Sequence, residues 1–497
     1  MQIFLYNSTM IGLLIVGAIL AYIAYFYYNV SRYPKGPFPL PFIGNLHQVP
    51  LADLHKYMHE TGKQYDHCFT LFLPGPKVIF TNYANIKEAL VDKGELFIGR
   101  SHAIPETLMQ KEPQTGILIA DGTVWREQRR ASLRILRQFG LGKNIMEEQV
   151  NRSIAEMTKQ IDETNEGQSM DMTLPIQLCV GNIINETLFG YHFKYNDSAR
   201  LEHFLDKIRF HLEYVTNSKC ILLLQAWPWL SHLPFIGKYG RDVPRNSFLE
   251  YQTFIESEVE IIKSNYDANS EPTNFVEAYL QEMEKNPQLD IRNLYAVVVD
   301  FWLAGMETTG TTLRWALLFL MKYTDVQAKM RAELLSVTGP HRAPSMADKP
   351  LLPYFVAVIA EIQRSANMIP FLAYHRCTED STIGGKFIPS GTLTMPQIAS
   401  VLWEDEVFDN PKEFRPERFL EADGKTLNKK AVDRLIAFGM GKRVCAGEGL
   451  ARMELFLILG TLLHKYRFEA TSPVDLTPIF GAVLVPRQFT CRVLPVV

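Results

Sequence analysis

One ten-residue segment, Phe438–Gly447, constrains this chain more than any other part of its sequence. It reads Phe-Gly-Met-Gly-Lys-Arg-Val-Cys-Ala-Gly and precedes an apolar helix predicted over roughly Leu450–His464. Gly439 and Gly441 allow the backbone to turn tightly and to approach a flat ligand closely, where a Cβ atom would clash. Cys445 lies just before the helix, where unpaired N–H groups and the helix dipole stabilise a thiolate.

The neighbours of Cys445 indicate which ion it binds. Neither a histidine nor a second cysteine lies near it in the sequence, and a lone thiolate suits axial ligation of haem iron rather than a zinc site. Arg443 supplies a cation for a carboxylate at the rim of such a ligand. The third glycine of a dinucleotide-binding loop is missing, and the chain has neither a Walker-type phosphate loop nor a serine-nucleophile elbow. The alternative interpretation is a buried, inert cysteine.

Composition excludes two broad classes of protein. The 497-residue chain carries 51 Lys and Arg against 54 Asp and Glu, a formal net charge of −3, so no nucleic acid is expected to bind through bulk positive charge. Its six cysteines include no C-x-x-C or zinc-knuckle spacing, which disfavours a disulfide framework or a structural zinc and favours reduced thiols. With 47% apolar residues, the chain can bury a large core.

The start of the chain predicts a membrane anchor. Its first charged side chain is Arg32, and the run Met10–Tyr28 is almost wholly apolar. About 19 helical residues span roughly 28 Å, enough to cross a bilayer. A signal peptide would need a basic region and a small-residue cleavage site, which are missing, and a buried core helix is the remaining alternative. Because Arg32 and Lys35 suit the cytosolic side, we predict a single-pass anchor with the rest of the chain in the cytosol.

Four prolines within Tyr33–Pro41 prevent a helix directly after the anchor. The sequence thus divides into a membrane anchor at residues 1–30, a proline-rich hinge at 31–45 and a large, mostly helical domain at 46–497. Short strands are expected near Phe69–Phe72, Lys77–Thr81, Leu393–Met395 and Val483–Val493.

A long helix is predicted over Leu294–Tyr323, with apolar residues around nearly its whole circumference, as in a helix through a large core. Its centre, residues 304–312, holds two glycines and four threonines, which are costly in a core helix. Ala304 and Thr308 share one face, where the Thr308 hydroxyl can interrupt a backbone hydrogen bond and open a groove. Asp300 is expected to anchor a loop over a pocket. The alternative is a helix kink without chemistry.

These segments, in this order, resemble the cytochrome P-450 family, and the residues around Cys445 match its haem-ligand signature position by position. The resemblance covers the whole chain and is closest to microsomal members that metabolise drugs, steroids and fatty acids. It implies a mainly α fold with small β-sheets, plus one N-terminal transmembrane helix. It also implies haem b, iron protoporphyrin IX, with the Cys445 thiolate as the axial iron ligand and Phe438 and Gly439 beside the haem.

Further site residues follow from the same resemblance. The stretch Ala304–Thr309 is similar to a family motif in which Ala304 leaves space over the iron, and Glu307 and Thr308 deliver protons. The pair Trp125-x-x-x-Arg129 is similar to a motif that contacts the haem propionates, although a surface cation–π pair is the alternative. The implied propionate partners are Trp125, Arg129, Arg100, His375 and Arg443.

Glu361-x-x-Arg364 resembles a conserved helix of the family, because i,i+3 spacing lets the carboxylate and the guanidinium pair on one face. The pattern is weak alone, since Glu127-x-x-Arg130 also fits it and such pairs are usually solvated. Arg418 lies in Pro-Glu-Arg-Phe, a second family segment between that helix and the cysteine loop. The resemblance implies a buried structural triad of Glu361, Arg364 and Arg418.

The implied activity is a haem–thiolate monooxygenase that inserts one oxygen atom of O2 into a lipophilic substrate: a xenobiotic, a fatty acid or a steroid. Electrons would come from NADPH through a flavoprotein reductase, with cytochrome b5 as a second candidate partner, at the endoplasmic reticulum membrane. A haem–thiolate isomerase or dehydratase without external electrons and a non-catalytic haem carrier are the alternatives. By family position, the pocket walls are expected at about residues 101–119, 204–227, 300–308, 369–373 and 480–483.

Two surface features predict how the protein meets its surroundings. A cationic stripe on one helix face follows Trp125 and suits an acidic reductase, although a solvated face is the alternative. An aromatic, proline-broken stretch within Gln225–Tyr239 is predicted to dip into the membrane, the alternative being a loop folded onto the core. The stripe comprises Arg126, Arg130, Arg134 and Arg137, and the stretch presents Trp227, Trp229, Phe235 and Ile236.

Overall fold

The computed structural model describes residues 2–50, 53–139, 144–165, 167, 169–195, 199–404 and 406–496. These residues are mainly helical with small sheets, which is the predicted fold class. The α-helices are α1 (Gln2–Val30), α2 (Leu54–Gln64), α3 (Tyr83–Lys87), α4 (Gly122–Gln138), α5 (Asn144–Thr164), α6 (Thr173–Phe189), α7 (Ala199–Asn217), α8 (Lys219–Ala226), α9 (Pro234–Gly237), α10 (Val243–Ser264), α11 (Phe275–Lys285), α12 (Ile291–Lys322), α13 (Thr324–Thr338), α14 (Pro353–Ala366), α15 (Ile398–Leu402), α16 (Lys429–Arg434) and α17 (Glu448–Lys465). The strands are β1 (Cys68–Leu73), β2 (Gly75–Phe80), β3 (Ser169–Met170), β4 (His375–Arg376), β5 (Ser381–Ile383), β6 (Lys386–Ile388), β7 (Leu393–Pro396), β8 (Tyr466–Ala470) and β9 (Cys491–Pro495).

The chain forms two compact units, of which the first contains residues 1–101 and 371–397. Its main sheet has the order β1-β2-β7-β4, in which β2 and β7 are parallel and the other neighbours are antiparallel. Strands β5 and β6 form a separate antiparallel pair. Alternate residues of β1 point to one side of the sheet, where they build a buried cluster. The cluster comprises Met58, Phe69, Leu71, Ile79 and Met395.

Helix α1 also belongs to the first unit. Its segment Met10–Val30 has a mean hydropathy of 2.2 and is wholly unburied. Among the described residues it is the one helix long and apolar enough to cross a membrane. The apolar helix predicted at the start of the chain is therefore present, and it is a candidate membrane anchor.

The second unit contains residues 102–370 and 398–497. It holds the sheet β3-β9-β8 and the helices α4 to α17. Helix α12 begins after Asp290, whose side chain accepts from the Asn293 N–H at 2.8 Å and caps the helix. Trp302 and Trp315 of α12 are fully buried. Helix α6 packs so closely that a Cβ at position 305 would lie 2.5 Å from Ile184 Cδ1. This packing fixes the turn of α12 that carries Ala304 and Thr308.

The predicted strands agree with the structure except at the C-terminus. Strands β1 and β7 cover the first and third predicted segments, and β2 covers the second except for Thr81. The prediction of a strand over Val483–Val493 is wrong in extent, because the strand there is Cys491–Pro495. Val485 forms only an isolated bridge with Ile479, and Pro486 next to it has no N–H to extend a ladder. The division at residues 30 and 45 stays a prediction.

Candidate haem–thiolate site

The cysteine loop lies in the second unit and has the tight turn that its glycines predict. Gly439 (φ 75°) and Gly441 (φ 73°) adopt the left-handed backbone conformation that favours glycine. The Cys445 N–H donates to the Phe438 carbonyl at 3.0 Å and closes the loop. Helix α17 starts shortly after, so Cys445 precedes a helix N-terminus as expected.

The Cys445 thiol lies in a recess lined by donors. Its side chain is exposed, whereas the other five cysteines are buried or partly buried. Burial by the protein around the sulfur raises the pKa of the Cys445 thiol, and the N–H groups of Gly447 and Glu448 and the Arg129 guanidinium oppose this rise. An accessible sulfur with such donors around it fits a thiolate that binds a metal.

Three cationic or N–H donors gather beside the cysteine loop. The guanidinium carbon of Arg443 lies 4.0 Å from the ring centre of Trp125, and that of Arg129 lies 5.9 Å away. Arg129 Nη2 donates to the Val444 carbonyl at 2.5 Å, and Arg443 Nη2 donates to the Ala120 carbonyl at 2.8 Å. Trp125 Nε1 is buried and has no hydrogen-bond partner among the described residues. A carboxylate such as a haem propionate would satisfy this orphaned donor, so the residues fit the group.

The other two predicted propionate partners, Arg100 and His375, lie in the first unit. Arg100 Nη1 donates to the Tyr374 carbonyl at 3.0 Å. His375 Nδ1 lies 2.7 Å from the Phe97 carbonyl, which requires that nitrogen to carry the proton. Both side chains are buried, and the isolated bridge between Gly99 and Arg376 holds their two segments together.

The central turn of α12 presents small and hydroxyl side chains. Ala304 is exposed although it lies in the middle of a long, mostly buried helix. Thr308 Oγ1 donates to the Ala304 carbonyl at 2.8 Å, and Thr312 Oγ1 repeats this bond to the Thr308 carbonyl at 2.9 Å. Helix α12 is continuous through this turn, and the Thr308 hydroxyl bonds to a helix carbonyl; the interruption of a backbone hydrogen bond and the groove stay predictions.

Glu307 is a partly buried carboxyl next to Thr308. Thr311 Oγ1 donates to Glu307 Oε1 at 3.1 Å. Burial raises the pKa of Glu307, and the positive charges of Arg209 and Arg314 partly oppose that rise. Sequence reasoning missed these two arginines. Arg209 lies on α7, far from Glu307 in the sequence, and no local motif marks either residue.

Asp300 anchors a loop, as expected. Its Oδ2 accepts from the N–H groups of Ile117 (2.7 Å) and Leu118 (2.9 Å). Gly116, at φ 80°, is needed beside them because a Cβ there would lie 2.5 Å from Asp300 Oδ2. Burial raises the pKa of Asp300 to about 6, although the two N–H groups lower it. Arg443 Nη1 also donates to the Ile117 carbonyl at 3.3 Å, so the loop joins α12 to the cysteine loop.

The structure brings the predicted triad together in the core of the second unit. Arg364 donates to Glu361 through Nε (2.7 Å) and Nη2 (2.9 Å), and Arg418 Nε donates to Glu361 Oε1 at 3.1 Å. All three side chains are buried, whereas the similarly spaced Glu127–Arg130 pair is on the surface. A fully paired buried network of this kind favours one conformation of the adjoining segments.

The mainly helical fold and the donor-lined cysteine loop define a haem–thiolate protein. The sequence model of the cytochrome P-450 family matches residues 34–491. The chain is 35% identical over 483 residues to cytochrome P-450 2E1 of Mus musculus, covering 94% of each chain. It is 34% identical over 477 residues to cytochrome P-450 2C70 of Rattus norvegicus (94% of each) and 36% identical over 466 residues to cytochrome P-450 2C28 of Mesocricetus auratus (91% of this chain, 92% of the relative). The chain therefore belongs to the cytochrome P-450 family: it is a haem–thiolate monooxygenase, and its cofactor is haem b bound through a cysteine thiolate.

Proposed function

We propose that the protein inserts one atom of O2 into a lipophilic xenobiotic, fatty acid or steroid, with electrons that a flavoprotein reductase takes from NADPH. The observation that carries this proposal is the Thr308 hydroxyl on the Ala304 carbonyl, with the partly buried Glu307 beside it. An isomerase or a haem carrier needs no such proton-handling pair. The bound haem would supply the electron-transfer and dioxygen chemistry.

The residues of the chain would hold the cofactor and position the reaction. Cys445 would bind the iron, while the N–H groups of the loop stabilise its negative charge. Phe438 and Gly439 would lie against the haem, and Ala304 would keep its far side open. The propionates would pair with Trp125, Arg129, Arg443, Arg100 and His375.

Thr308 and Glu307 would move protons. The Thr308 hydroxyl keeps its lone pairs available to water while it donates to the Ala304 carbonyl. Burial raises the pKa of Glu307 and the two nearby cations oppose that rise, so the carboxyl takes up a proton more readily than an exposed glutamate does. The triad of Glu361, Arg364 and Arg418 acts on structure alone by fixing the segments that support the cysteine loop.

Omission of single components separates this function from its alternatives. Product formation that requires NADPH, reductase and O2 together supports the monooxygenase. Product formed without O2 and electrons would indicate an isomerase or dehydratase, and haem binding without any turnover would indicate a carrier. A binding-spectrum screen of fatty acids, steroids and drugs identifies the substrate class, and the pocket walls predicted from the sequence stay a prediction until then.

We further propose that α1 anchors the chain in the endoplasmic reticulum membrane with its catalytic domain in the cytosol. The cationic stripe of α4 would dock the reductase, with cytochrome b5 as a second candidate partner. All four stripe arginines are exposed, although Arg130 pairs with Glu127 and Arg134 with Glu282. The stretch Gln225–Tyr239 would add a membrane contact, because Trp229 and Phe235 are 59% and 68% exposed.

A further inference from the structure

Glu454 is a buried carboxyl within the apolar helix that follows the cysteine loop. It lies on α17 between Met453 and Leu455 and is 1% exposed. Thr309 Oγ1 on α12, itself buried, donates to Glu454 Oε2 at 3.0 Å. Glu454 Oε1 is buried and has no hydrogen-bond partner among the described residues. One polar contact therefore joins the helix of the cysteine loop to the helix that carries Thr308.

A carboxyl at position 454 is costly for the fold. Burial raises the pKa of Glu454 to about 8, although the bond from Thr309 lowers it, so the carboxyl is mostly protonated at neutral pH. The buried oxygen without a partner loses its hydration, and this loss exceeds the net gain from a single hydrogen bond. Apolar side chains in place of both partners would avoid that cost. The pair is therefore better explained by a role other than stability.

The hydroxyl of Thr309 reaches a different acceptor from those of the neighbouring threonines. Thr308, Thr311 and Thr312 each donate to an acceptor on α12 itself, whereas Thr309 donates to α17. Successive residues of an α-helix point about 100° apart, so Glu454 holds this turn at about that angle from the Thr308 side chain. A contact at such an angle resists rotation of the turn about the helix axis.

The same turn is held on another side by α6, where a Cβ at position 305 would lie 2.5 Å from Ile184 Cδ1. Helix α17 begins three residues after Cys445, and Glu454 lies in its second turn. Because a helix is stiff over two turns, the position of Glu454 follows that of the cysteine loop. The contact with Thr309 thus couples the cysteine loop to the turn of Thr308.

We propose that Glu454 is a positioning residue that acts through Thr309 and holds the Thr308 turn of α12 in place relative to the cysteine loop. The proposal rests on the proposed function, which gives Thr308 a proton to deliver. Without the contact the turn can rotate, and the Thr308 hydroxyl leaves the position in which it delivers that proton. The cysteine loop and its donors are unchanged.

Amide hydrogen exchange measured by mass spectrometry tests the contact without turnover. In Thr309→Val and in Glu454→Leu, the amides of residues 304–312 should exchange about fivefold faster than in the wild type, because one hydrogen bond no longer opposes local opening. Glu454→Gln should exchange like the wild type, since its amide oxygen still accepts from Thr309. Thr187→Val, at a buried threonine of α6 that bonds to the Ile183 carbonyl, is the matched control. Exchange no faster than in this control would overturn the contact.

The double variant Thr309→Val with Glu454→Leu separates positioning from stability. Two apolar side chains can replace the polar pair, so the free energy of unfolding should be no lower than in the wild type. Product per NADPH should nevertheless fall about threefold, because the Thr308 hydroxyl is misplaced. Haem content, substrate affinity and the carbonyl spectrum should not change. The near-isosteric Thr309→Val should show the same fall by itself, whereas Glu454→Gln and Thr187→Val should keep the wild-type ratio.

Wild-type product per NADPH in the double variant and in Thr309→Val would overturn the positioning role. If the wild type forms no product that depends on NADPH and O2, the proposed function fails. The exchange rates would still show whether Glu454 holds the Thr308 turn.

Discussion

At the scale of single residues, Cys445 determines whether haem is bound through sulfur. Its exposed thiol faces N–H donors and Arg129, which suits a thiolate ligand. Cys445→Ala or Cys445→His should therefore abolish the red-shifted Soret band of the ferrous carbonyl form, since that band depends on the electron-rich axial sulfur. Cys220→Ala, at a partly exposed cysteine far along the chain, is the control and should keep the band. Survival of the band without Cys445 would disprove the assignment.

Thr308 is expected to control how reducing equivalents are used. Thr308→Ala removes the hydroxyl on the Ala304 carbonyl but leaves α12 and its packing intact, so haem and substrate binding should persist. We expect NADPH consumption to yield mainly peroxide, with product per NADPH reduced by about 10-fold or more because proton delivery is lost. Thr312→Ala is the matched control, since Thr312 makes the same bond one turn later. Unchanged coupling in Thr308→Ala would remove it from the mechanism.

Asp300 should make the stability of the protein depend on pH. Burial raises its pKa to about 6 from 3.8, so the folded state favours the protonated carboxyl. Its contribution to the free energy of unfolding is full below about pH 4 and is lost as pH rises through about 6, a change of about 3 kcal/mol. Asp300→Asn should remove this change. The free energy of unfolding of the variant should therefore rise relative to that of the wild type between pH 4 and 7. Urea unfolding in detergent measures it, with the exposed Asp325→Asn as control. A constant difference between variant and wild type would contradict the prediction.

At the scale of one helix, α4 combines a site face with a docking face. Trp125 and Arg129 point to the cysteine loop, while Arg130 and Arg134 are 70% and 50% exposed. Charge reversal at Arg130 and Arg134 should slow the first electron transfer several-fold and flatten its dependence on salt, because a patch attracts an acidic partner over about one Debye length. Substrate binding and the carbonyl spectrum should not change.

The control for α4 reverses two exposed lysines on other helices, Lys159 and Lys429. Stopped-flow reduction by a membrane reductase gives the rates at several ionic strengths. If the reductase reduces the double arginine variant and the double lysine variant at the same rate, it docks elsewhere. Acidic neighbours already offset part of the stripe charge, so a moderate effect is expected rather than a complete block.

Local patterns made some elements predictable and left others hidden. The cysteine loop, the Glu361–Arg364 pair and the hydroxyl turn of α12 each depend on spacings within ten residues, which the sequence displays directly. The C-terminal strand was predicted to begin at Val483 rather than at Cys491, because a run of β-formers hides the effect of Pro486. Arg209 meets Gln177 through the packing of α7 on α6, and no sequence pattern encodes that distance.

At the scale of the whole molecule, the resemblance to the cytochrome P-450 family predicted the fold and the kind of cofactor. The division into two compact units was not predicted. Residues 371–397 join the N-terminal unit because β7 pairs in parallel with β2 and β4 pairs with β7. The pairing of β2 with β7 links segments about three hundred residues apart, and its register depends on tertiary contacts rather than on local propensity.

Attachment to the membrane is predicted to use two separate contacts. Helix α1 presents an unburied apolar span, and the stretch Gln225–Tyr239 exposes Trp229, Leu233 and Phe235. A chain without residues 1–30 should therefore still float with liposomes of neutral and anionic lipids, although less completely than the full chain. Trp229→Glu combined with Phe235→Glu should abolish that residual binding, because two charges would have to enter the interface. Leu351→Glu, at another highly exposed apolar position, is the control and should not alter flotation. A truncated chain that stays in solution would show that α1 alone holds the protein at the membrane, whereas one that floats equally well with both glutamates would place the second contact elsewhere.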